Sequence, residues 1–240
     1  MTLVSGFRCA DGLIICADTQ ETIAGYTKND TQKISTLMYL GGCISVAGAG
    51  DADLIQMAFD KLVDRFLSDD CKLAKSRETQ REIESVMTAL LAEQARLNPE
   101  GGADFLIGYR AEDGKEILKI SGTGSWRVRT AQCLGTGIIV ATSLVNDLFD
   151  LNMTMKQAAL LAIYVMQRAK RQVDGVGGNT DILFIGNYGL TRIPTVDVQR
   201  VESWWTEVEQ SNMAFIRDLT GPSRLDKSKV ATLADFQAAL

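Results

Sequence analysis

The sequence predicts an α+β fold, two stacked antiparallel sheets covered by helix layers, in one domain spanning residues 1–240. Three observations predict it. Strand-like and helix-like segments come in blocks: strands, two helices, strands, two helices, strands. Short apolar runs are separated by glycine turns, and Asp11-Gly12 between two such runs is a hairpin signal. Longer stretches carry apolar residues at helical spacing, one stripe each. No repeat, linker or low-complexity region divides the chain.

The elements follow in order. Leu3 to Arg8 and Leu13 to Ala17 read as the first two strands, and Thr19 to Gln32 as irregular or short strand. Ile34 to Leu40 and Cys43 to Ala47 flank Gly41-Gly42 as a second hairpin, with Gly48 ending the fourth strand. Small residues then lead through Asp51 into a helix striped by Leu54, Ile55, Ala58, Phe59, Leu62, Val63, Phe66 and Leu67. Ser76 to Leu97 is a second helix, ended by Asn98-Pro99-Glu100-Gly101-Gly102. Strands are expected at Asp104 to Arg110 and Glu116 to Ser121, with Trp126 to Ala131 continuing the sheet. Helices are expected at Ile138 to Phe149 and Met155 to Val173, then strands at Thr180 to Gly186 and Gly189 to Pro194. Residues 198–240 read as a C-terminal helical extension, helical over Val198 to Leu219, with Trp204-Trp205 packing on the outer sheet.

Composition narrows the function classes. Apolar residues make up 46% and charged residues 23%, ordinary values for a soluble globular chain, which predicts a cytoplasmic protein. The net charge of −5 and the lack of a basic tract give no electrostatic footprint for nucleic acid. No signal peptide or membrane-spanning apolar run is visible, so no membrane partner is expected. The 5 cysteines are odd in number and scattered without a C-x-x-C, which speaks against a disulfide framework or a metal site, and no cofactor is expected. There is no histidine, which removes Ser-His-Asp and Cys-His catalysis together. A hydrolase built from this chain must draw its base from a carboxylate, a lysine or its own α-amine.

That last option points to the first residues. Thr2 follows Met1, and Met before a small residue is commonly trimmed. The hydroxyl and a free α-amine would then share one residue, a nucleophile with its own base, because an α-amine titrates near pH 8. Asp18 ends the second strand and Lys33 opens the third, so an acid and a base fall at adjacent strand ends. A nearby ammonium favours the deprotonated hydroxyl. Gly48, at the head of the first long helix, offers a backbone N–H to a developing oxyanion.

These residues resemble the β-type proteasome subunits and their bacterial HslV-like and ancestral-β-subunit relatives, within the N-terminal nucleophile hydrolases. The resemblance is carried by Thr2-Leu3-Val4, the run Asp11 to Asp18, Lys33-Ile34 and the run Ala47 to Asp53, with weaker matches at Gly135-Thr136-Gly137 and Asp174 to Gly178. It spans roughly residues 2–186. It implies a four-layer αββα sandwich and threonine-dependent hydrolysis of peptide or unfolded-protein substrates inside a homo-oligomeric ring, on which an ATP-driven unfoldase could act. It assigns Thr2 as nucleophile, Asp18 and Lys33 as its tuning pair and Gly48 as oxyanion donor. Thr136 stands where the family has a serine near the N-terminal amine, and Asp174 fits a later acidic position. Three departures stand out: Gly177 replaces a usual serine, Gln20 replaces a usual arginine, and the Asp18–Lys33 interval is one residue short. Two other outcomes stay open, a non-peptidase amidohydrolase of the same superfamily and a catalytically silent ring subunit. The lack of an extension before the first strand counts against the silent subunit. All catalytic expectations depend on removal of Met1.

Overall fold

The computed structural model describes residues 2–23, 27–68, 75–99, 101–122 and 124–220. Met1, Cys71 and the tail beyond Thr220 lie outside the described residues. Twelve strands and five helices are described: β1 Leu3–Arg8, β2 Leu13–Asp18, β3 Gln20–Ile23, β4 Thr27–Asp30, β5 Ile34–Tyr39, β6 Gly42–Gly50, α1 Ala52–Phe66 and α2 Ser76–Leu97 come first. They are followed by β7 Ala103–Ala111, β8 Gly114–Ser121, β9 Gly124–Arg127, β10 Ala131–Gly135, α3 Ile138–Leu148, α4 Met155–Gln172, β11 Thr180–Gly186, β12 Gly189–Arg192 and α5 Thr195–Thr220.

Two five-stranded antiparallel sheets result, ordered β10-β1-β2-β11-β12 and β5-β6-β7-β8-β9, with β3-β4 as a separate hairpin. The central strands β1, β2, β6 and β7 are buried on both faces because both faces are covered. On β2, Leu13, Ile15 and Ala17 point between the sheets, where they meet Leu106, Ile117 and Leu183. The alternate residues Ile14 and Cys16 point outward under α3 and α4. On β7, Phe105, Ile107 and Tyr109 face α1 and α2, whose stripes of Leu54, Ala58, Leu62, Ile83 and Met87 close over them. Three apolar layers therefore separate four structural layers, the expected helix-sheet-sheet-helix sandwich.

Several expectations are refined. The Asp11-Gly12 signal makes the expected hairpin, with Arg8 opposite Leu13 and Cys9 N–H on Gly12 O (2.8 Å), and the Asp11 carboxylate also accepts from the Met155 N–H (2.7 Å) at the start of α4. That helix also carries a capping box between Thr154 and Gln157. The stretch Trp126 to Ala131 does not continue one sheet. Val128 N–H still bonds Ile117 O (2.8 Å) in one sheet, while Thr130 O accepts from Arg8 N–H (2.8 Å) in the other. The chain changes sheets within three residues, pegged by buried Val128. α5 starts at Thr195, directly after Pro194, and Trp205 packs on α4 rather than on a sheet. Its ring lies 4.8 Å from that of Tyr164, and its Nε1–H bonds Leu160 O at 3.2 Å.

The described cysteines, Cys9, Cys16, Cys43 and Cys133, are free and buried. Burial pushes the Cys9 and Cys133 thiols up to about 12 and that of Cys16 well above its usual value, so these thiols are inert core residues. Among the described residues no helix is long and apolar enough to cross a membrane.

Candidate active site

The site lies where the two sheets meet at one end. Thr2 immediately precedes β1 and Asp18 is the last residue of β2, its antiparallel neighbour, where Val4 pairs with Ala17. One register step further, Leu3 N–H donates to Asp18 Oδ1 at 2.8 Å, which fixes the carboxylate beside Thr2. Lys33 comes from the other sheet, at the residue before β5. Its side chain reaches across so that Nζ lies 2.6 Å from Thr2 Oγ1, 2.9 Å from Asp18 Oδ1 and 2.5 Å from Gln20 O. The Thr2 hydroxyl donates to Asp18 Oδ1 at 2.6 Å, completing a triangle. Thr2 and Asp18 are both buried.

The electrostatics follow from this count. A lysine ammonium has three donors, and here each has an oxygen acceptor. Asp18 takes Thr2, Leu3 and Lys33 at Oδ1 and Gly177 N–H (3.1 Å) at Oδ2, so the buried carboxylate is fully engaged. Burial lowers the Lys33 pKa from its usual 10.5, and the Asp18 carboxylate pushes back toward the charged form. The pair places a positive charge against a hydroxyl oxygen whose proton is already polarised.

Gly48 is not the end of its strand, since β6 runs on to Gly50. Its amide direction can be derived from the ladder. Asp51 N–H bonds Gly102 O (2.9 Å), continuing the register in which Gly48 is opposite Phe105. Amides alternate sides along a strand, so the Gly48 N–H points away from β7, toward the β5 side. The β5 pairing begins only at Ile34 with Ala47, so Gly48 lies one residue beyond it, at the cleft. A side chain at 48 would strike Ile55 Cγ1 at 2.7 Å. The first turn of α1 is not the donor, because the Asp51 carboxylate already accepts from Asp53 N–H and Leu54 N–H.

The remaining expected residues divide. Thr136 touches Thr2 through its backbone, with its N–H on Thr2 O at 2.8 Å. The adjacent Gly135 adopts φ +94°, and a Cβ there would sit 2.2 Å from Thr2 O, so only glycine allows this contact. No described hydrogen bond engages the Thr136 hydroxyl. Asp174 is exposed on the loop after α4 and has no described hydrogen bond to Thr2, Asp18 or Lys33. Three participants were not singled out by sequence: Leu3 N–H, Gln20 O and Gly177 N–H. All are backbone groups, which no residue type announces.

Two of the departures from the family pattern touch each other. A Cβ on Gly177 would fall 2.4 Å from Gln20 Oε1, and Gln20 N–H bonds Gly177 O at 3.0 Å. The glutamine side chain occupies the space that a side chain at 177 would need.

A cleft of about 440 Å³ opens beside Thr2, bordered by Lys33, Gly48, Glu21, Ile55 and Gln56. That volume falls within the range of ligand sites and can take a substrate side chain. With an amide donor, a polarised hydroxyl and a fixed ammonium around one opening, the arrangement can carry out acyl transfer.

Solved structures share the fold. The ancestral β-subunit Anbu from Yersinia bercovieri superposes with a TM-score of 0.75 at 14% identity, covering 88% of this chain and 97% of its own. The helical assembly of the Anbu complex from Pseudomonas aeruginosa gives 0.75 at 15% identity, covering 94% and 99%. In sequence, the proteasome subunit beta of Methanohalophilus mahii is 24% identical over 209 residues, 83% of this chain and 93% of that protein. The mouse proteasome subunit beta type-10 is 26% identical over 83% of this chain and 72% of its own length. The sequence profile of the proteasome subunit family matches residues 2–185. On that match the chain belongs to the proteasome subunit family.

Proposed function

We propose that this chain is a threonine peptidase subunit that hydrolyses peptide bonds through Thr2 once Met1 has been removed. The observation that carries this reading is the 2.6 Å approach of Lys33 Nζ to Thr2 Oγ1, with Asp18 bonded to both. Thr2 Oγ attacks the substrate carbonyl carbon and its proton passes to the α-amine. The carbonyl oxygen becomes an oxyanion facing the Gly48 N–H. The C–N bond then breaks as the α-amine returns the proton to the leaving nitrogen, which leaves an ester on Thr2. Water, deprotonated by the same amine, attacks the ester, and the C–O bond breaks as the amine returns that proton to Thr2 Oγ and the acid leaves. Lys33 stays charged throughout and Asp18 holds it in place.

Substrates of this chemistry are peptides or unfolded protein segments, and family membership favours a homo-oligomeric ring in the cytoplasm. Residues 198–240 serve in this reading as an extension of the same single domain. Turnover of a fluorogenic peptide by purified protein tests the proposal. Thr2→Ala is expected to abolish hydrolysis while leaving the circular-dichroism spectrum unchanged, since it removes only the nucleophile. Full turnover by that variant would overturn the mechanism.

A further inference from the structure

We infer that Glu21 makes the cleft beside Thr2 selective for substrates with a cationic side chain, lysine or arginine, on the acyl side of the scissile bond. This rests on the reading of Thr2 as the nucleophile. The residue whose carbonyl meets both Thr2 and the Gly48 amide must send its side chain into that cleft. Among the side chains bordering it, Glu21 and Lys33 are the charged ones. Lys33 has already placed its three donors on Thr2, Asp18 and Gln20. Glu21 accepts from the neutral Thr31 hydroxyl at 2.9 Å, and its charge acts on Lys33 without an ion-pair contact among the described residues. A carboxylate has about four acceptor positions, so most of its capacity is left for a ligand.

The hairpin keeps the nearby cation away. Glu21 pairs with Asn29, whereas Lys28 pairs with Thr22 at the next register position. Side chains alternate faces along a strand, so Lys28 projects from the opposite side of β4. The polar remainder of the cleft is also suited to donors. Gln32 gives an amide N–H to Ile34 O (2.8 Å) and Gln56 gives one to Asp60 Oδ1 (2.8 Å). Their carbonyl oxygens are left as acceptors, and an ammonium or guanidinium brings only donors. Ile55 and Ala52 offer apolar surface along the cleft for the aliphatic stem of lysine or arginine.

Three peptides that differ only in arginine, leucine or glutamate before the cleaved bond test this on the full assembled protein. A half-exposed ion pair supplies up to about 1 kcal/mol, so kcat/KM for arginine is expected to exceed that for leucine by about fivefold. Glu21→Gln is expected to remove that ratio, and Glu21→Lys to move the preference toward glutamate. The arginine preference is also expected to shrink at high salt. An arginine-to-leucine ratio in Glu21→Gln equal to that of the wild type overturns the inference. So does a change in pH profile common to all three peptides with the ratio unchanged, which would mean that Glu21 acts on Lys33 alone. Calorimetric binding of the same peptides to Thr2→Ala separates this inference from the peptidase reading. Preferential binding of the arginine peptide that is lost in Thr2→Ala/Glu21→Gln supports selectivity even if no peptide is hydrolysed. Equal binding of all three peptides contradicts selectivity even if hydrolysis occurs.

Discussion

Lys33 is the residue on which the candidate chemistry turns, because its ammonium touches the nucleophile, the buried carboxylate and the Gln20 carbonyl at once. Replacing it with alanine removes the charge that favours the alkoxide and leaves Asp18 buried without its cation. Peptide turnover is expected to fall by about 10²–10³-fold, the usual loss of one preorganised electrostatic group. Its titration gives a second expectation. Burial holds the folded pKa below 10.5, so the alkaline limb of the rate profile should have its midpoint below that value. The unfolded chain holds more protons between the lowered pKa and 10.5, so the contribution of this group to stability rises as pH rises through that window. Rate and stability should therefore move in opposite directions there, which a pH series of kinetics and chemical denaturation can read. Gly177→Ser tests the contact between the two departures. The serine Cβ meets the far end of the Gln20 side chain at 2.4 Å, so Gln20 must swing away. Gly177→Ser alone is expected to lower the melting temperature, and adding Gln20→Ala is expected to restore it.

At this scale the sequence was informative where chemistry resides in side chains. Thr2, Asp18 and Lys33 could be picked out because a histidine-free chain leaves few bases and because each sits in a run that resembles the family's. The structure brings all three within hydrogen-bond reach. Asp174 fitted a pattern of spacing and is exposed in the structure, without a described bond to the triangle. Leu3 N–H, Gln20 O and Gly177 N–H were invisible because every residue has such groups and only tertiary placement selects them.

Among the elements, those with strong periodicity were legible and those defined by pairing were not. The α1 stripe marks the buried face, with Leu54, Ala58, Leu62 and Phe66 in the outer core, Ile55, Phe59 and Val63 packed at its border and Leu67 exposed. The passage from β9 to β10 was not legible. Trp126 to Ala131 has continuous strand character, and which sheet each residue joins depends on partners over a hundred residues away, such as Arg8 for Thr130. α5 is held to α4 by polar contacts as much as by Trp205. Lys170 Nζ bonds Glu202 Oε1 (2.8 Å) and Thr180 Oγ1 (2.7 Å), and Thr180 pairs in register with Asp18. Glu202→Ala is expected to destabilise the protein by about 2 kcal/mol, since it strands a partly buried cation. A denaturant titration checks this, and a change below 0.5 kcal/mol would show that α5 docks through its apolar side alone, that being the ordinary range for surface substitutions (about 0.5 kcal/mol).

For the whole molecule, the two sheets serve the site by their relative position. β1 and β2 place Thr2 and Asp18, β5 and β6 place Lys33 and the Gly48 amide, and the inter-sheet core fixes the distance between them. The fold class was readable because strands and paired helices alternate in blocks along the chain. Family membership follows from a profile match over residues 2–185. The proposed mechanism depends on one covalent event, the removal of Met1. With Met1 in place, the α-amine belongs to the wrong residue and Thr2 has no base of its own. The most direct measurement is therefore the intact mass of the assembled protein, taken on the same sample in which peptide hydrolysis is assayed. A hydrolysing sample whose subunits begin at Thr2 is the predicted result. Full turnover from subunits that all retain Met1 would contradict the account.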